Sequence, residues 1–193
     1  MLKYFSIAAM VAVLIIFATL GVAGQHYVDS KRIIQPKYSQ LTPDAQRQVA
    51  CLASNIYFEA RSEPREGQIA VAFVTLNRVE SPNFPDTICD VVKEKKRVDS
   101  IGDKRVVCQF SWYCETTPKW QYYNMLLTND TTKKYNDVLK IAIYVYANHE
   151  KLRDPTNGSL FYHADYVSPN WRNLDRHVTI GRHIFYKVKE ENI

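Results

Sequence analysis

The sequence of 193 residues predicts an α+β domain in which helices dominate and a small β region is added. Apolar residues recur at helical spacing in three stretches, which begin near residues 43, 65 and 129. Aromatic and β-branched residues form extended segments at Leu160–Tyr166 and Val178–Val188. The helical stretches are the longer ones, so we expect the helices to build most of the core.

The first helix is expected to begin at Thr42-Pro43-Asp44. There threonine caps free backbone N–H groups, proline suits the first helical position, and aspartate complements the helix dipole. It should end between Arg61 and Glu63, because Pro64 disfavours helical geometry in the residue before it. The other predicted helices cover Arg65–Arg78, Asp86–Glu94 and Asn129 to about Glu150.

Two turns and a pair of short strands are predicted between these helices and the C terminus. Ser100–Asp103 is expected to turn between two short strands, of which Arg105–Trp112 is the returning one. The charged run Lys93–Arg97 is interpreted as solvated surface. Asp154–Gly158 has the composition of a turn.

The N-terminal segment is apolar and uncharged. No formally charged residue occurs from Tyr4 to Val28, and about 20 helical residues cover a ~30 Å hydrocarbon layer. Gly21–Gly24 also fits the small-residue site of a cleaved signal peptide. Either alternative exports the rest of the chain. We therefore predict a signal-anchor or signal peptide at 1–24, a linker at 25–41 and a folded domain at 42–193.

The four cysteines and the charge limit the classes of function. An even set in an exported chain predicts two disulfides, with three pairings of Cys51, Cys89, Cys108 and Cys114 left open. No pair has the C-x-x-C spacing of a zinc ribbon or a redox site. The net charge of +5 comes with no basic stripe interleaved with aromatic residues, which argues against nucleic-acid binding. The 13 tyrosines and three tryptophans suit sugar binding or the core.

Glu59 is the candidate catalytic residue. It lies between Phe58 and Ala60 in the expected last turn of the first helix, where the negative end of the dipole opposes ionisation. Apolar neighbours would raise its pKa further, as a proton donor near neutral pH requires. A surface glutamate paired with an arginine is the alternative. Glu63, four residues on, either lies beside Glu59 or caps the next helix.

Ordered motifs along the chain resemble the SleB-type cell-wall hydrolases, the spore-cortex-lytic enzymes and their relatives in Gram-negative bacteria and phages. The resemblance covers about Cys51 to Tyr186. It is carried by Asn55–Pro64, Gly67–Ala72, Leu76–Val79, Phe84–Val92, Cys108–Trp112, Asp154–Gly158, Ser168–Trp171 and Ile180–Tyr186.

The resemblance implies a lysozyme-like α+β fold related to lytic transglycosylases, and cleavage of the MurNAc–GlcNAc bond of peptidoglycan. The first glutamate of the family's Glu-Ala-Arg-Gly-Glu motif, its acid and base, corresponds to Glu59. The second glutamate corresponds to Glu63, and Gln109–Trp112 corresponds to a segment of the cleft wall. Ser62 replaces the usual glycine, and a serine is modestly strained there if the position requires a positive φ.

The number of carboxylates distinguishes two mechanisms. Conventional glycosidases use two, whereas a lytic transglycosylase needs one. Only weak second candidates exist (Glu63, Glu115 and Asp165), so we favour the lytic transglycosylase, with a true hydrolase as the alternative. The predicted substrate contacts are Glu63, Gln109 and a set that could instead belong to the core: Tyr57, Ser111, Trp112, Tyr162 and His163.

Two other classes are weaker alternatives. A zinc amidase could draw ligands from His163, Asp165, His177 and His183, but these match no ligand signature, and we expect neither a metal nor a cofactor. A wall-binding module without chemistry is the non-enzyme alternative. The expected partners are peptidoglycan strands and, through the N-terminal segment, the inner membrane on its periplasmic side. We expect a monomer, and both a phage lysis protein and a bacterial remodelling enzyme fit.

Overall fold

The computed structural model describes residues 32–100, 103–115 and 129–189. The chain divides into a unit Met1–Ile34 and a compact unit Gln35–Ile193, which contains every element described below. The predicted signal segment at 1–24 lies outside the described residues, as does the first part of the linker. Among the helices that the structure describes, none has the length and apolar character needed to cross a membrane.

Five α-helices form the larger part of the described domain residues, which agrees with the predicted helix-dominated α+β class. Helix α1 begins where its cap predicts, since Thr42 Oγ1 accepts a hydrogen bond from Ala45 N at 3.2 Å. Pro64 is extended (φ −54°, ψ 157°) and separates α1 from α2. The helices are α1 Pro43–Ala60, α2 Arg65–Glu80, α3 Ile88–Lys93, α4 Ser111–Glu115 and α5 Asn129–Asn148.

The core lies where α1 meets α2, α3 and α5. The apolar spacing of α1 turns Val49, Leu52 and Ile56 inward, and all three are fully buried. Residues from each neighbouring helix complete this cluster, including Val71, Val91 and Val145. The disulfide Cys51–Cys89 joins α1 to α3 beside it.

A two-stranded antiparallel sheet follows α3, with β1 at Lys95–Ser100 and β2 at Asp103–Cys108. The prediction that the returning strand reaches Trp112 was wrong. Gln109 N still donates to Glu94 O at 3.0 Å, but Tyr113 N then donates to Phe110 O and α4 begins. The second disulfide, Cys108–Cys114, links the end of β2 to α4 across this change of direction. The charged run at 93–97, expected on a solvated surface, reaches into β1, whose residues 95–97 are exposed.

The second sheet has the order β3-β5-β4 and is antiparallel throughout, with β3 at Phe161–Ala164, β4 at Leu174–Ile180 and β5 at His183–Val188. The single extended segment predicted over 178–188 is therefore two strands. Gly181 makes the tight turn between them, with φ at +58°, a backbone conformation that favours glycine. Phe185 on β5 is fully buried against Ala70 and Val74 of α2.

The predicted turn at 154–158 attaches this sheet to α2. Asp154 Oδ1 accepts from Thr156 N at 2.7 Å, and its Oδ2 accepts from Gly158 N at 2.6 Å. Asn77 Nδ2 on α2 donates to the same Oδ2 at 3.0 Å. Asn157 and Gly158 take positive φ angles of 50° and 83°. The turn thereby sets where β3 starts.

Candidate active site

Glu59 lies at the end of α1, one residue before the helix ends, as the sequence predicts. It is half-buried. Its Oε2 accepts a hydrogen bond at 3.1 Å from the hydroxyl of Tyr162, a residue 103 positions further along the chain. The carboxyl group therefore lies between the last turn of a core helix and the first strand of the second sheet.

Tyr162 is held in the state that donates this hydrogen bond. Burial of the phenol, and then the charge of Glu59, raise the pKa of Tyr162 well above its usual value of 10. Its ring packs against Phe185 (5.6 Å between centroids) and edge-on against His183 (5.1 Å). Tyr162 is thus a fixed, protonated donor to the candidate acid.

Arg78 is a group at this site that the sequence analysis did not single out. It leaves only 3% of its surface exposed, and its Nε donates to Leu160 O at 2.8 Å. Burial lowers the pKa of Arg78, while Tyr162 and Glu59 act in the opposite direction. The sequence did contain a signal for Arg78, because this charged residue interrupts the apolar pattern of α2, which continues before and after it.

Gln109 and two aromatic rings also contact the guanidinium of Arg78. With the amide oxygen of Gln109 facing Arg78, it accepts from both terminal nitrogens at 3.3 Å, and the amide nitrogen donates to Glu94 Oε2 at 3.3 Å. The guanidinium also lies 4.9 Å from the ring centre of Phe110 and 5.4 Å from that of Phe84. Gln109 therefore contributes to a polar network around a buried cation.

Trp112 is tied to α1 by one hydrogen bond and one stacking contact. Its Nε1 donates to Asn55 Oδ1 at 3.1 Å, and its ring stacks on Phe58 with 4.5 Å between centroids. Asn55 is fully buried and also donates to Thr75 Oγ1 at 3.1 Å. Asn55 is thus a positioning residue that the sequence analysis did not single out. The disulfide Cys108–Cys114 encloses this segment.

The remaining predicted substrate contacts lie at different places in the structure. Tyr57 leaves only 3% exposed and packs against Phe58 and Tyr135, so it has little surface to offer a ligand. Ser111 is exposed at the start of α4. His163 follows Tyr162 on β3, and strand alternation puts it on the opposite face of the sheet. The structure therefore does not bring His163 together with Glu59.

Glu63 takes a place that neither sequence alternative foresaw. Its Oε2 accepts from Arg182 N at 2.8 Å, in the turn between β4 and β5. A Cβ added at Gly181 would overlap this same oxygen. Asp165 pairs with the guanidinium of Arg182 at 3.2 Å. Two of the three weak second carboxylates are thus bound to Arg182, while the side chain of Glu115 lies outside the described residues.

The concavity on the helical side does not coincide with the predicted site, and the described residues hold no metal-binding group. Across residues 32–100, 103–115 and 129–189, no group of three or more His, Cys, Asp or Glu side chains could hold a metal ion. A concavity of about 290 Å³ lies on the helical side, lined in part by Gln48, Leu76 and His149. None of the predicted site residues lines it.

Comparison with known proteins identifies the relatives of this chain. A spore cortex-lytic enzyme of Oceanobacillus iheyensis is 42% identical over 74% of this chain, and one of Bacillus cereus is 30% identical over the same share. The chain spans less than half the length of these curated relatives, 42% and 45% respectively.

One solved structure gives the corresponding similarity in three dimensions. It is the catalytic domain of the germination-specific lytic transglycosylase SleB from Bacillus anthracis, with 30% identity and a TM-score of 0.52. The alignment covers 74% of this chain and 95% of that domain. The family model described as Cell Wall Hydrolase matches residues 62–186, beginning three positions after Glu59. This match covers more than half of the chain, which therefore belongs to the SleB-type cell wall hydrolase family.

Proposed function

We propose that this chain cleaves the MurNAc–GlcNAc bond of peptidoglycan as a lytic transglycosylase, with Glu59 as its single acid and base. The observation that carries the proposal is the half-buried carboxyl group of Glu59, hydrogen-bonded by Tyr162 at the end of α1. The names of the relatives, a spore cortex-lytic enzyme and a lytic transglycosylase, support it. The kinship with lysozyme-like folds is part of the same proposal.

In the first step, the protonated Glu59 transfers its proton to the glycosidic oxygen. The bond between that oxygen and C1 of MurNAc breaks, and GlcNAc leaves with a neutral hydroxyl group. Tyr162 donates to Oε2, so the transferred proton is assigned to Oε1. Since burial keeps the phenol of Tyr162 protonated, this orientation persists while the charge on Glu59 changes.

In the second step, the Glu59 carboxylate removes the proton from the C6 hydroxyl of MurNAc. The C6 oxygen bonds to C1 at the same time and closes a 1,6-anhydro ring. Glu59 is then protonated again, and no water has been consumed. The buried cation of Arg78 favours the carboxylate between the two steps, because an opposite charge nearby stabilises the ionised form.

The roles of Glu63 and Asp165 favour this route over hydrolysis. A conventional hydrolase requires a second carboxylate that acts on water or on the sugar. Glu63 instead accepts from the backbone of Arg182, and Asp165 pairs with its side chain. Both groups therefore have a structural partner in the β4–β5 turn, and of the candidate carboxylates whose side chains the structure describes, this leaves Glu59 for chemistry.

The place of action belongs to the proposal as well. The uncharged stretch from Tyr4 to Val28 supports export and retention at, or release from, the inner membrane. In that location the protein would meet peptidoglycan in the periplasm, as a monomer that acts either in a phage lysis system or in remodelling of the wall.

Mass spectrometry of the fragments released from purified sacculi tests the proposal. We expect 1,6-anhydro ends from the wild type and no fragments from Glu59→Gln, which keeps the shape of the side chain but cannot supply the proton. The exposed Glu80→Gln, at the end of α2, is the matched control and should release the same fragments as the wild type. Fragments with only water-added reducing ends would establish hydrolysis instead.

A further inference from the structure

A cluster of four aromatic side chains lies on the face of the second sheet opposite Tyr162. It consists of Phe161, His163, Trp171 and Tyr186, and we call it the outer aromatic cluster. Phe161 and Tyr186 are register partners in β3 and β5 and so share a face. The ring of Trp171 lies 5.3 Å from that of Tyr186, 5.4 Å from His163 and 6.0 Å from Phe161, measured between centroids.

Hydrogen bonds fix two of these rings. His163 Nδ1 lies 2.8 Å from Ala164 O. A carbonyl oxygen can only accept, so Nδ1 carries the hydrogen. In the neutral ring Nε2 is then an acceptor, and the Tyr186 hydroxyl donates to it at 2.8 Å. The cluster is therefore a rigid support on which Trp171, 38% exposed, presents an indole to solvent.

Cationic side chains also occur in the strands that carry the cluster. Arg176 is the register partner of Tyr186 in β4, so it belongs to the same face. It is exposed, and its Nη2 donates to Thr179 Oγ1 at 3.0 Å. Residues 171–189 carry five lysine and arginine side chains, of which Arg182 pairs with Asp165 and Lys189 with Asp175. The surface thus combines an exposed indole on rigid rings with the guanidinium of Arg176.

We propose that the outer aromatic cluster and Arg176 form a second glycan-binding surface, on the face of the sheet opposite Tyr162. A pyranose ring of peptidoglycan would stack on Trp171, and Arg176 would bind a carboxylate of its peptide stem. The inference rests on the proposed substrate class. Its role would be to keep the enzyme on the insoluble wall between cuts, because a second attachment raises the effective concentration of the first.

The arrangement favours a sugar over a lipid surface. A patch that inserts into a membrane exposes several large apolar side chains. Of the four rings in this cluster Trp171 alone is exposed, with Val188 on β5 as one exposed aliphatic side chain on the same face, and His163 and Tyr186 use their polar atoms within the cluster. An aromatic face with polar groups at its edge matches the alternating CH faces and hydroxyls of a sugar.

Co-sedimentation of the full-length chain with intact sacculi tests this surface, in a Glu59→Gln background that prevents digestion. We expect Trp171→Ala and Arg176→Glu each to weaken binding about five- to thirtyfold, the effect of losing one good contact. The matched controls are Tyr166→Ala, a more exposed ring that lies against Arg182, and Arg97→Glu, the same charge change on β1. Both should bind like the parent.

The outcomes separate this surface from the proposed function. If folded Trp171→Ala and Arg176→Glu bind sacculi like their parent, or lose binding only to anionic lipid vesicles, the surface is not a glycan site. If Trp171→Ala fails to fold, sacculus binding is measured for Trp171→Phe and for Arg176→Glu instead, and the same criterion applies. Cleavage of short soluble glycan chains by the wild type is measured separately, and its absence would overturn the enzymatic function without touching the binding result.

Discussion

Glu59 and Glu63 stand four residues apart, yet the structure gives them different partners. Glu59 is in the last turn of α1 and accepts from the hydroxyl of Tyr162. Glu63 follows the helix end and accepts from the backbone N–H of Arg182. The first contact joins a helix to a titratable side chain, and the second joins a loop to a turn. The comparison separates the two glutamates by their partners, and under the proposed function Glu59 serves chemistry while Glu63 serves the fold.

The largest effect is expected from Glu59→Gln. Loss of a general acid and base reduces the rate about 10²- to 10⁴-fold, while the amide still accepts from Tyr162. The free energy of unfolding should change by less than about 1 kcal/mol, because the hydrogen bond is kept. Turnover on soluble glycan chains and thermal unfolding measure the two quantities. A large loss of stability with little loss of rate would reverse the roles assigned to the two glutamates.

Glu63→Ala should show the opposite pattern, with a loss of about 2 kcal/mol in the free energy of unfolding and a smaller loss of rate. The reason is that a hydrogen bond to a charged acceptor contributes about 1.5–3 kcal/mol. Glu63→Gln retains an acceptor for Arg182 N and should recover part of the stability. Denaturant unfolding of both variants measures this.

Gly181→Ala tests the same contact from the side of the turn. The substitution forces a Cβ onto Glu63 Oε2 and places alanine at φ +58°, at a cost of about 1–2 kcal/mol for the backbone alone. Removing the Glu63 side chain relieves the overlap, so the double variant should lose less than the sum of the single losses. Strict additivity would show that Glu63 does not hold this turn in solution.

A smaller effect is expected from Tyr162→Phe. The substitution keeps the ring between Phe185 and His183 but removes the donor to Glu59. One hydrogen bond contributes about 0.5–1.5 kcal/mol, so the rate should fall about three- to tenfold. Steady-state kinetics should show the change in kcat more than in KM, since Tyr162 acts through Glu59. Tyr57→Phe, which alters a buried tyrosine within α1, is the matched control.

Short sequence signals correctly predicted the helix boundaries that are set by neighbouring residues. Thr42 with Pro43 marked the start of α1, and Pro64 marked the break before α2, because capping and φ restriction act within a few residues. The four cysteines predicted two disulfides, which the structure contains as Cys51–Cys89 and Cys108–Cys114. Their pairing stayed open because it depends on which helices meet.

The site was predictable only in part for the same reason. The end of α1 singled out Glu59, but its hydroxyl donor and its buried cation come from β3 and α2. Glu63 was misjudged because its partner, Arg182 N, is 119 residues away. Gly181 was the available signal for that turn, since a glycine within a run of strand-forming residues often marks a tight turn.

The smallest expected effect concerns His183, which lies next to both the Glu59–Tyr162 contact and the turn held by Glu63. Its ring packs edge-on against Tyr162, and it follows the turn held by Glu63. Burial lowers the pKa of His183 below its usual 6.5, while the carboxylates of Glu63 and Asp165 raise it and His163 lowers it further. Its Nδ1 is buried, and the described part of the chain offers it no hydrogen-bond partner.

The sign of the pH dependence follows from this lowered pKa. Below about pH 6.5 the unfolded chain binds a proton at His183 more readily than the folded chain, so the free energy of unfolding falls as the pH falls. Thermal unfolding from pH 8 to pH 5 should show this loss, and His183→Gln should show less of it. Glu63→Ala removes one carboxylate that opposes the effect of burial and should therefore steepen the loss. A pH profile that is identical in all three proteins would mean that neither the buried ring nor the Glu63 contact is linked to protonation here.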